Sequence, residues 1–349
     1  MSIRTVDEIS GRYEIEKGIK ESDLIALVEN PNTNVIQFSK PLAEKDIENL
    51  ELLVFSKRKD ITLRVYGHYI EGCDLRFLVN MPSLAKVTAD CLYQATGIEA
   101  VTELKNLTSL SVGIFNLESF DFLNDIPPSV RELILQQSKS KKPRIDSIAR
   151  FEDLEYLYLE GQQKGIEAIS HLKKLERIVL RSISVPNLEV LSDLKELWSV
   201  DIKLGGIKNF NALKNLPNLK YLELWQIRGL ADLSFISELN GLQNLFVQAL
   251  PQVERVPELK NLTALRRIYL ENLKGLKDLF SLRSAPALEE FTYVLAQNQE
   301  PENLIPVLEN PNVKRVCCRM GSSKKDDKFD ELVSLYGKQE YEFREFIYD

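Results

Sequence analysis

The sequence predicts an α/β solenoid, with a curved parallel sheet on its concave face and short helical or 3₁₀ returns on its convex face. Three observations predict it. The spacing Leu-x-x-Leu-x-Leu returns about every 23 residues, most clearly at Leu219-Lys220-Tyr221-Leu222-Glu223-Leu224. After each such segment the apolar period changes from two to three. The two ends of the chain follow neither pattern. A repeat of this length is the mark of stacked coils, none of which can bury its apolar side alone.

Taken in order, Asp23–Glu29 reads as a helical piece, Val35–Phe38 as a strand and Glu44–Phe55 as a second helix. This helix-strand-helix stretch is expected to form an N-terminal cap over residues 1–57. The repeats follow over 58–318. Their shared apolar position falls at Leu63, Val87, Leu110, Leu133, Leu157, Ile178, Val200, Leu222, Leu245, Ile268, Phe291 and Val316. With the segment Val35–Phe38, thirteen strands are expected. Leu222 and Leu224 alternate with period two, so both point to one side of a strand. Leu230, Leu233, Ile236, Leu239 and Leu242 then recur every three residues, which suits a tight 3₁₀ return. Beyond the repeats, Lys324–Tyr336 patterns as an amphipathic helix. Glu340–Tyr348 carries Tyr341, Phe343, Phe346 and Tyr348 and reads as an edge strand. A last coil exposes core and sheet edge, so residues 319–349 are expected to form a C-terminal cap.

These units resemble leucine-rich repeats of the short kind found in internalin-type and cytoplasmic bacterial proteins. The resemblance covers roughly residues 58–318 and implies a binding module rather than an enzyme. It also implies an asparagine three residues past the last strand leucine, bonded to the backbone of neighbouring coils. Here those positions hold Ser138, Gln162, Ile183, Gly205, Ile227, Leu250 and Leu273. Most cannot form an amide ladder, so the turns must satisfy their backbone groups in another way. Some relatives carry a catalytic domain after the repeats. About 30 residues follow Arg319 here, so such a domain is not expected from them.

Composition bounds the rest. Of 349 residues 44% are apolar, enough for a continuous core, and the net charge is −7. Residues 1–60 hold 9 basic and 12 acidic side chains, and residues 320–349 hold 5 and 8, which leaves the repeats nearly neutral. A nucleic-acid groove is not expected from that balance. Met1–Ser10 includes Arg4, Asp7 and Glu8 and has no apolar core of a signal peptide, and no run is long enough for a membrane span. A cytoplasmic monomer with no membrane contact is the expectation. Cys73, Cys91, Cys317 and Cys318 lack disulfide or zinc spacing and are expected as reduced thiols, with Cys318 inward and Cys317 outward. His68 and His171 occupy different repeat positions and are expected to be solvated. No cofactor or metal motif appears. The basic stretch Lys139, Lys141, Lys142 and Arg144 belongs to a loop.

The concave face is where function is expected. If the leucines point inward, a central row of outward residues includes Tyr158, Asp201, Glu223, Phe246 and Tyr269. A flanking row includes Arg181, Lys203, Trp225 and Glu271, and the row before the centre includes Tyr156, Arg177, Tyr221 and Arg267. Tyr, Trp and Arg are the residue types that dominate protein interfaces. Six strands at about 4.8 Å each match one side of such an interface. These thirteen residues are the expected partner-binding site, and the partner is expected to be another protein. The class could be an adaptor, a regulatory subunit or an immunity or inhibitor protein. A repeat protein serving an enzyme, with catalysis on a partner or an unrecognised site, and a structural scaffold are the alternatives.

Overall fold

A computed structural model describes residues 3–67, 72–140 and 143–349. His68, Lys141 and Lys142 lie outside the described residues. The chain divides into two units, Met1–Leu175 and Glu176–Asp349.

In the first unit the strands are β1 (Ile3–Asp7), β2 (Arg12–Ile15), β3 (Val35–Phe38), β4 (Thr62–Tyr66), β5 (Cys73–Asp74), β6 (Lys86–Leu92), β7 (Ala95–Thr96), β8 (Ser109–Ile114), β9 (Glu132–Leu135) and β10 (Tyr156–Glu160). The main sheet runs β1-β2-β3-β4-β6-β8-β9-β10, and β5 pairs with β7 in a small second sheet. From β2 onward every pairing in the main sheet is parallel. Helix α1 (Glu21–Glu29) connects β2 to β3. Helix α2 (Glu44–Leu50), continued by a π-helical turn to Phe55, connects β3 to β4. The repeats return through 3₁₀ turns, for example Leu75–Asn80 and Ile166–His171. His171 ends the latter and is exposed.

In the second unit the strands are β11 (Arg177–Arg181), β12 (Ser199–Lys203), β13 (Tyr221–Trp225), β14 (Asn244–Gln248), β15 (Arg267–Glu271), β16 (Glu290–Val294), β17 (Arg315–Cys318) and β18 (Gln339–Glu340), paired in that order and all parallel. Their returns are again 3₁₀ turns such as Asn211–Asn215 and Ser234–Glu238. A short helix α3 (Ile305–Glu309) and helix α4 (Ser323–Leu335) flank β17. All thirteen expected strands are present. The hairpin β1–β2 was not anticipated. Its first strand holds only two apolar residues, Ile3 and Val6, with no period to read, and its second, where Tyr13 and Ile15 alternate, is too short to establish one.

The core lies between sheet and returns. Leu222, Leu224 and Ile236 are fully buried and Leu233 is only 5% exposed, so both periods describe the same interior. On β16 the inward place is taken by Tyr293, fully buried, whose hydroxyl donates to the Leu273 carbonyl at 2.9 Å. Burial moves that phenol up to about 12. A buried tyrosine is tolerable when its hydroxyl finds such an acceptor.

The missing asparagine ladder is replaced by backbone. Ser182, Leu204, Gln226, Ala249, Asn272 and Leu295, each just past its strand, adopt left-handed conformations with φ between 50° and 56°. The N–H groups of the first five reach the last strand carbonyl of the next coil: Ser182 to Lys203 at 2.7 Å, Leu204 to Trp225 at 2.9 Å, Gln226 to Gln248 at 2.9 Å, Ala249 to Glu271 at 2.9 Å, Asn272 to Val294 at 3.1 Å. The turn then points the next residue inward, so Ile183, Ile227, Leu250 and Leu273 are buried where the family has an amide. Gly205 is the exception in that column because a Cβ there would lie 2.2 Å from the Ile183 carbonyl oxygen. Gln162 does act as an amide bridge: its Oε1 accepts from the Glu160 N–H at 2.7 Å and its Nε2 donates to the Gln136 carbonyl at 2.9 Å. Near the far end Asn298 and Asn310 each donate to two carbonyls of the preceding return.

The segment after β18 departs from expectation. The edge strand read over Glu340–Tyr348 consists only of Gln339–Glu340. The Tyr341 N–H still bonds to the Val316 carbonyl at 3.0 Å; the residues after it leave the β17 edge and cross the open face of the sheet. Among the described residues no helix is long and apolar enough to cross a membrane. All four cysteines are free thiols, with Cys318 buried and Cys317 partly exposed as the alternation requires.

Candidate functional site

Parallel pairing in register carries each repeat position straight across the sheet. In the second unit Asp201, Glu223, Phe246, Tyr269, Thr292 and Cys317 are successive Cα partners, so the central row read from the sequence is a physical row. Lys203, Trp225, Gln248, Glu271 and Val294 form the row beside it. Ser199, Tyr221, Asn244, Arg267, Glu290 and Arg315 form the row on the other side.

Within these rows the side chains pair. Phe246 and Tyr269 stack with ring centroids 4.8 Å apart and planes 15° from parallel. The Arg181 guanidinium lies over the Trp225 ring, 5.4 Å from its centre. Gln248 donates to Glu271 at 2.7 Å. Tyr221 donates its hydroxyl to Glu223 at 3.0 Å. Lys203 lies between two carboxylates, 3.1 Å from Glu223 and 3.5 Å from Asp201. One lysine does not neutralise both. The Asp201 Oδ1 is buried without a hydrogen-bond partner. Burial, then the Glu223 charge, pushes the Asp201 carboxyl up to about 7. Burial and the same carboxylates push the Tyr221 phenol upward.

The thirteen expected site residues do not form one described cluster. Tyr156 and Tyr158 belong to the first unit, on β10, where Tyr158 donates to Glu160 at 3.1 Å. Arg177 is the exposed first residue of β11. The remaining ten lie on β11 to β15; eight of them contact one another in the pairs just given, while Glu271 is held by Gln248 and Arg267 by Glu290. Arg267 departs most from expectation. It bridges Glu290 at 2.6 Å, with the two side chains only 11% and 5% exposed. Glu290 also takes Arg315 at 2.9 Å and Arg344.

Sequence reasoning overlooked a fourth row. Trp198, Lys220, Gln243, Arg266 and Glu289 share one repeat position, two before the shared apolar residue, and each N–H bonds to the carbonyl of the row member before it: Lys220 to Trp198 at 2.8 Å, Gln243 to Lys220 at 2.8 Å, Arg266 to Gln243 at 2.9 Å. The signal was present in the periodicity, one position further out than the rows considered. This row meets segment 341–349. Tyr348 packs its ring 5.1 Å from Trp198 and 6.5 Å from Tyr221. Asn244 donates to the Tyr348 hydroxyl at 3.2 Å. Arg266 donates to the Ile347 carbonyl at 2.8 Å and pairs with Asp349 at 3.2 Å. Tyr221 therefore has an internal aromatic partner, supplied by the segment.

Among the described residues no group of three or more His, Cys, Asp or Glu is placed to hold a metal ion. Burial pushes the Cys73 thiol up to about 12 and raises Cys317 as well, the opposite of activation. In the first unit the equivalent face is closed by satisfied polar groups. Glu14, 6% exposed, accepts from Gln37 at 2.7 Å and Tyr66 at 2.8 Å, and Arg64 bonds Asp90 at 3.0 Å and Gln37 at 2.8 Å.

No family model matches the chain. Its structure is similar to that of an internalin (InlF) from Listeria monocytogenes, with a TM-score of 0.53 at 17% identity over 96% of this chain and 87% of that one. It is similar to a leucine-rich repeat protein of Leptospira interrogans, with a TM-score of 0.51 at 15% identity over 89% and 90%. It is also similar to TLR13 in a complex with ssRNA13, with a TM-score of 0.51 at 16% identity, where 86% of this chain covers 52% of the other. The parallel sheet, the 3₁₀ returns and these likenesses together make the fold a leucine-rich repeat solenoid.

Proposed function

We propose that the chain is a protein-binding module that acts through the open face of its second unit. One observation carries this reading: Trp225, Phe246 and Tyr269 stand half-buried on consecutive in-register strands, interleaved with the charged side chains Arg181, Lys203, Glu223 and Glu271, each held by a neighbour. A parallel sheet is normally covered on both faces. Rings on its open face gain from a docked surface that removes them from water, and paired charges beside them fix its orientation. The module is non-enzymatic in this reading, serving as an adaptor, a regulatory subunit or an immunity or inhibitor protein in the cytoplasm. A protein partner fits better than RNA, the ligand of the TLR13 complex. Arg267 and Arg315 both point at Glu290, so they do not offer a run of unpaired cations to phosphates.

The test is capture with the intact chain followed by titration of the identified partner. Trp225→Ala and Tyr269→Ala should each weaken binding by about 2 kcal/mol, as central aromatic contacts do. Glu254→Ala, at an exposed turn, should change it by less than about 0.5 kcal/mol. Circular dichroism controls for folding. A partner that binds both ring variants as tightly as the parent removes this face from consideration.

A further inference from the structure

Segment 341–349 is more than a cap. Capping the sheet requires only that the β17 edge be paired, and β18 does this with two residues. The chain then runs back over β16, β15, β14 and β13, each of which already has a hydrogen-bonded strand on both sides. It can add no ladder bond there. What holds it is side-chain recognition.

The recognition has a period. Arg344 pairs with Glu290 on β16. Phe346 lies under two guanidiniums, those of Arg266 and Arg267, each 4.9 Å from the ring centre. Tyr348 fits between Trp198 and Tyr221 and takes the Asn244 hydrogen bond. These are alternate residues, as in an extended chain laid across the strands. The odd-numbered residues Phe343, before them, and Ile347, between the two rings, point away, 92% and 79% exposed. The far end is held by charge, through Arg266 to Asp349 and Lys220 to the Asp349 carbonyl. The fit is not dry. A cleft of ≈ 210 Å³ remains between segment and sheet, lined by Arg266, Arg267, Glu290 and residues 344–347. Side-chain grips around a partly empty cleft make a seat that an exchangeable occupant can use.

We infer that the row Trp198, Tyr221, Asn244, Arg266, Arg267 and Glu290 is a binding track for an extended segment of a partner protein, with two aromatic residues two apart and a carboxylate next to the second, and that residues 341–349 occupy it in cis. The inference rests on the reading of this face as a protein-binding surface and names the chemistry of what it binds. The partner must displace the segment, so the intact chain binds more weakly than an opened one.

The test uses the full chain carrying Phe346→Ala and Tyr348→Ala, and a second full chain carrying Arg344→Glu, which opposes Glu290 with like charge and keeps the rings. The probe is a fluorescein-labelled, amidated peptide of residues 341–349, read by anisotropy. A tethered segment competes at an effective concentration of roughly millimolar, so both opened chains should bind the peptide about tenfold or more tighter than the intact chain. Arg267→Ala in the opened background should weaken it, and a peptide with alanine in place of Phe346 and Tyr348 should not bind. A folded opened chain that ignores the peptide, or equal binding by intact and opened chains, overturns the inference. So does an intact chain that sediments as a dimer dissociated by the peptide, which would make the occupant a second copy. Failure of the peptide alone leaves Trp225 and Tyr269 as the partner site. Peptide binding with unaltered partner binding by the Trp225 and Tyr269 variants would instead remove that site and keep this track.

Discussion

Asp201 shows how a repeat protein carries chemistry one residue at a time. Its position on β12 is an ordinary outward one, set by the alternation with Val200 and Ile202. What makes it unusual is lateral. Glu223 arrives beside it in register, Lys203 on the same strand is shared between them, and Arg177, Tyr221 and Tyr348 add weaker charges and dipoles. Burial and Glu223 raise its carboxyl to about 7. The sign of the effect on stability follows from linkage. An acid whose folded pKa lies above its unfolded value favours the fold most below the unfolded value, about 4, and that contribution is lost as the pH rises through about 7. Asp201→Asn keeps the shape and removes the charge. It should therefore leave the melting temperature nearly unchanged at pH 4.5 and raise it at pH 8, by the equivalent of about 1–2 kcal/mol. Parallel melting-temperature profiles for parent and variant between those two pH values would show that Asp201 is ionised throughout.

At the scale of the element, the strands and returns were legible because each is written as a period, two then three, and packing obeys it. The register positions led directly to β3, β4 and the eleven strands from β6 to β17 that bear them. The turns were legible only in part. The absence of asparagine at Ile183, Gly205, Ile227 and Leu250 was visible, but the substitute was not, because left-handed backbone at Leu204, Gln226 or Ala249 runs against residue preference and is imposed by the bond to the next coil. The rows of the candidate site could be read from the same periods. The segment over them could not, since its grips, from Arg344 on Glu290 to Tyr348 on Trp198, join residues more than fifty positions apart. The turns give a paired prediction of opposite signs. Ala249→Gly keeps the N–H bond to Glu271 and removes the left-handed strain, so it should stabilise by about 0.5–1 kcal/mol. Gly205→Ala places a methyl against the Ile183 carbonyl at 2.2 Å and should destabilise by about 2 kcal/mol or more. Urea denaturation measures both, and a loss of stability in Ala249→Gly would mean that the left-handed turn carries no strain.

For the molecule as a whole, the question is how far a local defect spreads. A stacked coil contacts its two neighbours, so its stability is close to a sum of its own term and two interface terms. Leu222 makes this measurable. It is fully buried on β13, between Val200 of β12 and Leu245 of β14, and all three belong to the shared column of the second unit. Leu222→Asp puts a carboxylate into that column with no basic group or donor beside it. A buried unpaired charge costs more than one coil can supply, about 4 kcal/mol or more, so the site must open or protonate. Nearest-neighbour coupling then predicts a gradient. Hydrogen exchange followed by mass spectrometry should show β12, β13 and β14 losing protection first, β16 and β17 retaining part of it, and β3 and β4 of the first unit almost unchanged. A uniform loss across peptides from both units would mean that the whole chain folds as one cooperative block. The additive picture would then fail, and with it the expectation that the binding face of the second unit can be altered without disturbing the rest.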